Sequence, residues 1–400
     1  MTTPTFATGV AKQVVIAVET TEGVNPVTGG KTLRRVSSDL ALNKDSYESQ
    51  EILVSQQLID ARHGVHRPQG TFSGQLSPGS FNDFWQGILR GTFTAGVAMS
   101  SVNLTLALGP PETLTISSGF LAAGIKQDDV VEITGAASPN TALNSYKFRV
   151  NVLSDTVITT RDLGGLTLTA GALTGVTLTV VGKKLFIPAT GQIYNSYTIE
   201  HWFSDVALSE AFLGCKFGST SFQLPPTGMA TFSTQIMGID MVEGTTRALT
   251  SPGPQSTTSA VAAVNGTLSY NGADLAAVTG LSFQINAALG ADPVVGSDVV
   301  PHIFNGRLRV TGNMTVLFQD ESVFNTFKNE VEVSSSVLLF DGGANSSDFI
   351  KITFPRLKLM SASKNDSDMS LVQSFGFTAL ENVANALYDY STIVIQDSAA

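Results

Sequence analysis

The sequence predicts a mainly β protein in which one sandwich- or barrel-type fold occurs twice. Each copy carries one short flanking helix, and a small all-β domain is inserted into the first copy. Three observations predict this. Weak matches between the two halves keep one order, apolar residues alternate in short runs punctuated by Gly, Ser and Thr, and each half has one short stretch of helical periodicity.

The matches run as follows. LRVTGNM at 308–314 echoes GTFSGQL at 70–76, which aligns Gly312 with Gly74. FNTF at 324–327 echoes FNDF at 81–84, and VEVSSSVLLFD at 331–341 echoes SYTIEHWFSD at 196–205. MSLVQSFGF at 369–377 matches MATFSTQIM at 229–237, and LSFQIN at 281–286 matches SDLALN at 38–43. Five weak matches in one order outweigh any single one, and a doubled fold points to symmetric assembly.

Along the chain, residues 1–12 are small and polar and read as a loose terminus. QVVIAVE at 13–19 and LRRVSSDLALN at 33–43 read as strands, the second alternating through Leu40 and Leu42. Residues 44–67 form a long arm, charged at its ends and apolar in its middle, EILVSQQLID, which reads as a strand or hairpin. Residues 80–90 read as a helix with Ser80 at the N-cap and Asp83 at N3. Phe81, Phe84, Trp85, Ile88 and Leu89 fall at i, i+3, i+4, i+7 and i+8, one apolar stripe that anchors the helix in a core. In the second copy Asp320 is the expected cap of a helix through Asn329, with Val323, Phe324 and Phe327 facing inward.

The expected boundaries are a discontinuous first fold at 1–95 and 189–243, an inserted β domain at 96–188, a linker at 244–274 and a second fold at 275–400. The linker is rich in Gly, Ser, Thr, Pro and Ala, with one short strand expected at TLSYN. The ends of the insert must emerge close together, because the host fold resumes at SYTIEHWF.

Charged residues make up 14% of the chain, against ~25% in ordinary soluble domains. Charge depletion is what contact surfaces show, so a subunit largely covered by neighbours is expected; the other reading is a β-rich extracellular-type domain. The net charge of −10 argues against sequence-independent DNA binding, which needs Lys and Arg to neutralise phosphates. The single Cys215 excludes an internal disulfide. MTTPTFATG has neither a basic nor an apolar signal region, and no apolar run approaches the ~18–20 residues of a membrane span. A soluble protein made in a cytoplasm, with no membrane partner, is therefore expected.

Catalytic patterns are missing from the sequence. It has no Gly-x-Ser-x-Gly elbow, Walker loop or Gly-x-Gly-x-x-Gly. His63 and His66 lie three apart in an extended arm, a spacing that puts them on opposite faces; no metal is expected there. Asp128 and Asp129 read as the polar start of a strand, and NDSD at 365–368 as a solvated turn. Trp85 and Trp202 read as core. No enzyme activity, cofactor or metal is expected.

DLALNKDSYESQEILVSQQLIDARHGVHRPQGTFSGQLSPGSFNDFWQGILRGTF closely resembles the N-terminal part of tail tube proteins of long-tailed bacteriophages. The elements carrying the likeness are Leu40, Leu42, Lys44, Asp45, Tyr47, Ser49, Arg62, His63, Gly64, Gly70, Gly74, Leu76, Ser77, Pro78 and Gly79. LSFQIN, GRLRVTGNMTVLFQDESVFNTF, ITFPRLKL and SFGFTALEN resemble the C-terminal half of the same family. The resemblance implies a tail-tube β-sandwich whose copies pair sheet edges around a ring. Rings then stack into a hollow tube through which the genome leaves. It implies six folds per ring, hence three of these doubled chains with pseudo-sixfold symmetry, or six chains if the second copy is the rest of one larger sandwich. Implied partners are the chain itself, tape-measure, tail-terminator and tail-tip proteins, and duplex DNA passing without specific binding. The implied place is the virion tail, assembled in the host cytoplasm, with a long non-contractile tail favoured.

Stacking needs axial contacts, and the arm is the expected source, through Asp45, Tyr47, Glu48, Glu51, Asp60, Arg62 and His63. An ordinary surface hairpin is its alternative reading. The passage is expected to have an acidic wall, since a basic one would hold DNA. Two other function classes compete. One is a carbohydrate-binding or adhesive virion protein acting through residues 96–188. The other is a β-fold glycosidase, which needs two carboxylates about 5–9.5 Å apart.

Overall fold

The computed structural model describes residues 6–275, 278–319, 321–342, 345, 347–365, 370–383 and 387–400. Among the described residues, fourteen main strands and two helices build the two copies, with two-residue strands such as Lys31–Thr32, Ser37–Ser38 and Ala273–Asp274 added at their margins. The first has β1 (Lys12–Val18), β2 (Ala41–Glu48), β3 (Ala61–Gln75), α1 (Asn82–Leu89), β4 (Tyr197–Phe203), β5 (Leu208–Leu224), β6 (Thr231–Met237) and β7 (Asp240–Gly244). The second has β8 (Gly266–Tyr270), β9 (Val278–Asn286), β10 (Arg309–Leu317), α2 (Ser322–Lys328), β11 (Val333–Phe340), β12 (Phe349–Lys364), β13 (Val372–Ala379) and β14 (Val394–Asp397).

Each strand of the first copy has its counterpart seven strands later. The order β1–β4–β5–β7 makes one sheet and β2–β3–β6–β5 the other. In the second copy the orders are β8–β11–β12–β14 and β9–β10–β13–β12. All these pairs are antiparallel. β5 and β12 are long enough to serve both sheets of their sandwich. Even the irregularities recur: the first bulge falls opposite Tyr197 in one copy and Val333 in the other. A second follows Phe217 in β5 and Leu359 in β12.

The shared ladder corrects the alignment read from sequence. Phe217 faces Ile236, which faces Gly70; Leu359 faces Phe377, which faces Gly312. Gly70, not Gly74, is therefore the counterpart of Gly312. Both sit where a neighbouring strand comes too close for a side chain. A Cβ on Gly70 would lie 2.5 Å from Leu40 Cα, and one on Gly312 would lie 2.6 Å from the Ser282 carbonyl oxygen. The match of 229–237 to 369–377 is likewise off by one residue, which in a strand puts every side chain on the wrong face. The match of 38–43 to 281–286 stands in the ladder as written. Residues 266–270, inside the segment read as a linker, form β8 and pair with β11 as β1 pairs with β4. The second sandwich thus begins before residue 275.

One hydrophobic core runs through both sandwiches. In the first, Phe81, Phe84, Trp85, Ile88 and Leu89 of the α1 region are all buried. Phe84 stacks on Phe72 at 5.0 Å, Phe81 on Phe232 at 4.8 Å, and Trp85 meets Phe232 edge-on at 5.0 Å. Ser80 does not cap this helix. Phe81 occupies the N-cap without a side-chain bond, and the Ser80 hydroxyl is 2.5 Å from that of Ser77. The preceding turn is pinned instead by Gly79 N–H donating to Asp397 Oδ2 at 2.8 Å, which fixes where the helix starts.

α2 covers less. Val323 is buried, but Phe324 and Phe327 are only half-buried. By the ladder, the places of Phe72 and Phe232 fall to Met314 and Gln373, so the aromatic cluster around α1 has no equal here. Phe324 turns instead toward Phe327, at 6.2 Å, and Lys364, at 5.6 Å. The expected cap Asp320 and most of the NDSD run lie outside the described residues, as do residues 1–5.

The stretch between α1 and β4 builds a separate seven-stranded sheet. Its strand order is Lys147–Arg149, Val130–Thr134, Gly171–Val180, Ala98–Ala107, Glu112–Thr115, Val157–Thr160 and Val152–Leu153. The first and last members are successive pieces of chain, so the sheet curls back on itself around a core that includes Leu104, Phe120, Ile133 and Phe148. Its two ends emerge side by side, with Ala95 opposite Lys183. The strand Lys183–Phe186 then pairs with β14, so this domain interrupts the first copy in sequence yet rests on the second.

Polar groups pin that seam. The Gln396 amide bonds both the N–H and the carbonyl of Val130 at 2.9 Å. Lys184 bridges Asp129 at 2.8 Å and Asp389 at 2.7 Å. Asp128 and Asp129 stand at the polar start of the strand Val130–Thr134, as expected, but they are buried, and Ser336 donates to Asp128 at 3.1 Å. Lys351 is buried beside them, and loss of hydration pulls its ammonium down to about 8, against the pull of Asp128 and Asp129.

Two outcomes are expected. Phe84→Ala costs ~3–5 kcal/mol of unfolding free energy in denaturant titration. Phe327→Ala costs ~1 kcal/mol, because its side chain is only half-buried; equal losses would contradict the asymmetry. Between pH 8 and 10.5 the unfolded chain still holds the Lys351 proton that the folded chain has released, so this group adds stability as pH rises. The stability of the parent relative to Lys351→Met should therefore climb across that window, and a flat difference would count against the buried ammonium.

Candidate assembly surface

The two sandwiches meet by strand pairing. Leu281–Asn286 of β9 adds to the free side of β5, with Ser219 opposite Asn286, Ser221 opposite Gln284 and Phe222 opposite Phe283. The rings of Phe222 and Phe283 stack at 5.0 Å on the core side of this joint. The result is one antiparallel sheet of eight strands, β2–β3–β6–β5–β9–β10–β13–β12. Sequence reading found the strands but missed this joint. The signal available was the alternation of Ser, Thr and Gln with apolar residues in both GSTSFQL and LSFQIN.

The sheet ends in two open edges. β2 pairs along one side only, with β3, and residues 358–364 of β12 pair along one side only, with β13. No strand among the described residues covers the other side of either. Such edges expose unpaired backbone donors and acceptors that invite another strand. Lys364 stands at the tip of the second edge, a residue type that holds indiscriminate pairing off.

One face of the sheet is core; the other is mostly hydroxyl and amide side chains, with Arg67, Arg309 and Lys358 as cations among them. Reading straight across the ladder, Ser73, Ser233, Ser221, Gln284, Thr311 and Thr378 face one another in turn and end at Lys358. The next row is Gln75, Thr231, Gln223, Ser282, Asn313, Gly376 and Ser361. Ser374 donates to Asn313 at 2.9 Å, and Gln284 donates to Ser219 across the joint. Neither of these two rows carries a carboxylate. Acidic groups are spent elsewhere: Glu332 holds Arg356 at 2.7 Å, Glu330 holds Lys358 at 2.7 Å, and Glu19 and Glu200 are buried in hydrogen bonds.

The arm is a hairpin of the ends of β2 and β3 around a loop at 49–60, so its apolar middle is loop and not strand. Tyr47 lies opposite Arg62 and packs over Gly64, where any Cβ would meet its ring. Arg62 pairs with Asp60 at 2.9 Å in solvent, a bond of small worth. Asp45, Glu48, Glu51 and His63 are exposed. Ile52 and Val54 are fully exposed at the tip, with Leu58 and Ile59 beside them. An apolar patch on a projecting loop marks an interaction surface.

The second copy's arm, 287–308, behaves differently. Val300 and Ile303 are buried against Val65 and Ile239 at the base of the first arm. Asp298 accepts from the His66 backbone at 2.8 Å, and His66 Nε2 lies 3.1 Å from Asp240. One arm is therefore folded down as a buttress for the other. Among the described residues no group of three or more His, Cys, Asp or Glu is placed to hold a metal, and no helix is long and apolar enough to cross a membrane. Trp202 is not core but half-buried, beneath the Arg247 guanidinium at 5.7 Å.

A family model described as phage tail tube protein matches residues 9–379 of the chain. No curated protein matches it. In the isolated chain, hydrogen exchange should separate joint from edge. Amides of 220–224 and 281–285 stay protected, and those of 361–364 exchange fast; equal protection of the two segments would show the edge to be covered.

Proposed function

The chain belongs to the phage tail tube protein family, a structural component of the virion tail, and from that premise we propose that three copies close into one ring of the tube. Each chain brings eight strands to a common sheet, so three chains supply twenty-four. The observation that carries this reading is the pair of open edges on a sheet whose two halves already meet by strand pairing. Closing the sheet pairs the edges and removes the hazard they pose.

In this reading the sandwich cores, helices and inserted domain lie outside the barrel, and the Ser/Thr/Gln/Asn face lines the passage. DNA carries about one charge per 1.7 Å of axis, and release of its counterions by bound cations drives non-specific binding. A wall mostly of hydroxyls and amides, with few cations such as Arg309 and the Glu330-paired Lys358, releases few, so the genome passes without being firmly held. Tape-measure, terminator and tip proteins are the partners expected inside and at the ends of such a tube. The projecting arm stacks one ring on the next through Ile52, Val54, Leu58 and Ile59, with its charged flanks setting register. Three arms per ring project, since the second arm of each chain is folded down.

Microscopy and native mass spectrometry of the purified chain test this: rings of three chains, stacked with even bore, are expected. Six chains per ring, or a monomer at all concentrations, would overturn it. Ile52→Asp with Val54→Asp should leave the melting temperature within ~2 °C of the parent, because both sites are on the surface. The same pair should leave single rings and abolish tubes; tubes of normal length would refute the stacking role.

A further inference from the structure

Resting on the ring reading, we infer that the joint inside the chain is a template for the joint between chains, and that it fixes the register of the latter residue by residue. The shared ladder makes β12 the counterpart of β5 and β2 the counterpart of β9. Leu359 takes the place of Phe217, with the bulge that follows each, so Ser361, Ala362, Ser363 and Lys364 stand for Ser219, Thr220, Ser221 and Phe222. On the other strand, Gly70 for Gly312 makes Leu40, Ala41, Leu42 and Asn43 stand for Phe283, Gln284, Ile285 and Asn286.

Inside the chain, Ser219 faces Asn286, Thr220 faces Ile285, Ser221 faces Gln284 and Phe222 faces Phe283. Carried over, Ser361 of one copy faces Asn43 of the next, Ala362 faces Leu42, Ser363 faces Ala41 and Lys364 faces Leu40. The partner is thus a second copy of this chain, joined head to tail, a contact that generates a closed ring or an open helix according to its rotation.

The chemistry at the edges agrees with this register. Ser361, Ser363, Ala41 and Asn43 are exposed and uncharged, and Ser361 already ends the second row of the polar face. Ala362 packs against the sandwich core and Leu42 is half-buried, so their meeting continues the apolar side. A slip of one residue would set Ala362 against Ala41 or Asn43 and turn Leu42 toward the polar face. The stacked pair Phe222–Phe283 has no aromatic successor, since Lys364 and Leu40 replace it. The joint between chains is therefore the weaker of the two, as suits a contact made after folding.

The full-length variant Ala41→Cys with Ser363→Cys tests the register in assembled rings under mild oxidation. Directly opposite residues have Cβ atoms about 4.5–5.5 Å apart, near disulfide reach, while diagonal neighbours lie about 7–8 Å apart. Covalent dimers and trimers are expected on a non-reducing gel, with none from either single variant; Cys215 is buried and takes no part. The shifted pair Asn43→Cys with Ser363→Cys should cross-link at least tenfold more slowly. Rings that form while the shifted pair reacts faster, or while neither pair reacts, overturn the register and leave the ring standing. Absence of rings from the parent chain overturns both. As a second readout on the unmodified chain, amides at 361–364 should gain protection on ring formation, and unchanged exchange there would also overturn the inference.

Discussion

Main-chain hydrogen bonding at sheet edges is the constraint from which the rest of this molecule follows. A strand has two sides, and every side left open exposes donors and acceptors that must find partners. Within the chain, β9 satisfies the open side of β5, and the stacked rings of Phe222 and Phe283 seal the joint beneath it. Two sandwiches become one eight-stranded sheet by this single pairing. The same solution, applied at β2 and β12, needs another chain.

The two copies have diverged in ways that fit different tasks. The first concentrates aromatic mass around α1 and sends its arm outward. The second exchanges Phe72 and Phe232 for Met314 and Gln373, folds its arm against Val65 and Ile239, and carries the inserted domain on its outer sheet. A duplication inside one chain permits such a division of labour, because each half is free to specialise while the strand ladder that joins them is kept. The buried ion pairs at the insert seam are costly to desolvate, but Lys184 finds two carboxylates there, and that geometry specifies one docking position.

Charge is unevenly placed over the molecule. The chain is acidic as a whole, yet several of its acidic groups sit on the arm, in salt bridges beside β12, or buried. The broad sheet face is left mostly to hydroxyls and amides. Such a face is hydrated and carries few cations, which in the proposed ring would suit a wall past which a polyanion slides. Net charge described the molecule and not this surface, because a sum over residues carries no information about which of them share a face.

The sequence alone determined what depends on local periodicity. Alternation marked the strands, the stripe from Phe81 to Leu89 marked α1, and the ordered echoes marked a repeated fold. The segment 369–377 leading through β13 and the strand around Gly74 were matched in the wrong register, because short polar strands echo one another at several offsets and only their hydrogen-bond partners choose among them. Tertiary structure decided the rest: that Gly70 answers Gly312, that Ser80 yields its capping place to Phe81, that Asp128 and Asp129 are buried in a seam, and that β5 and β9 join two sandwiches into one sheet. Each depends on which strand lies alongside which, and pairing between residues far apart in the chain is set by the fold as a whole.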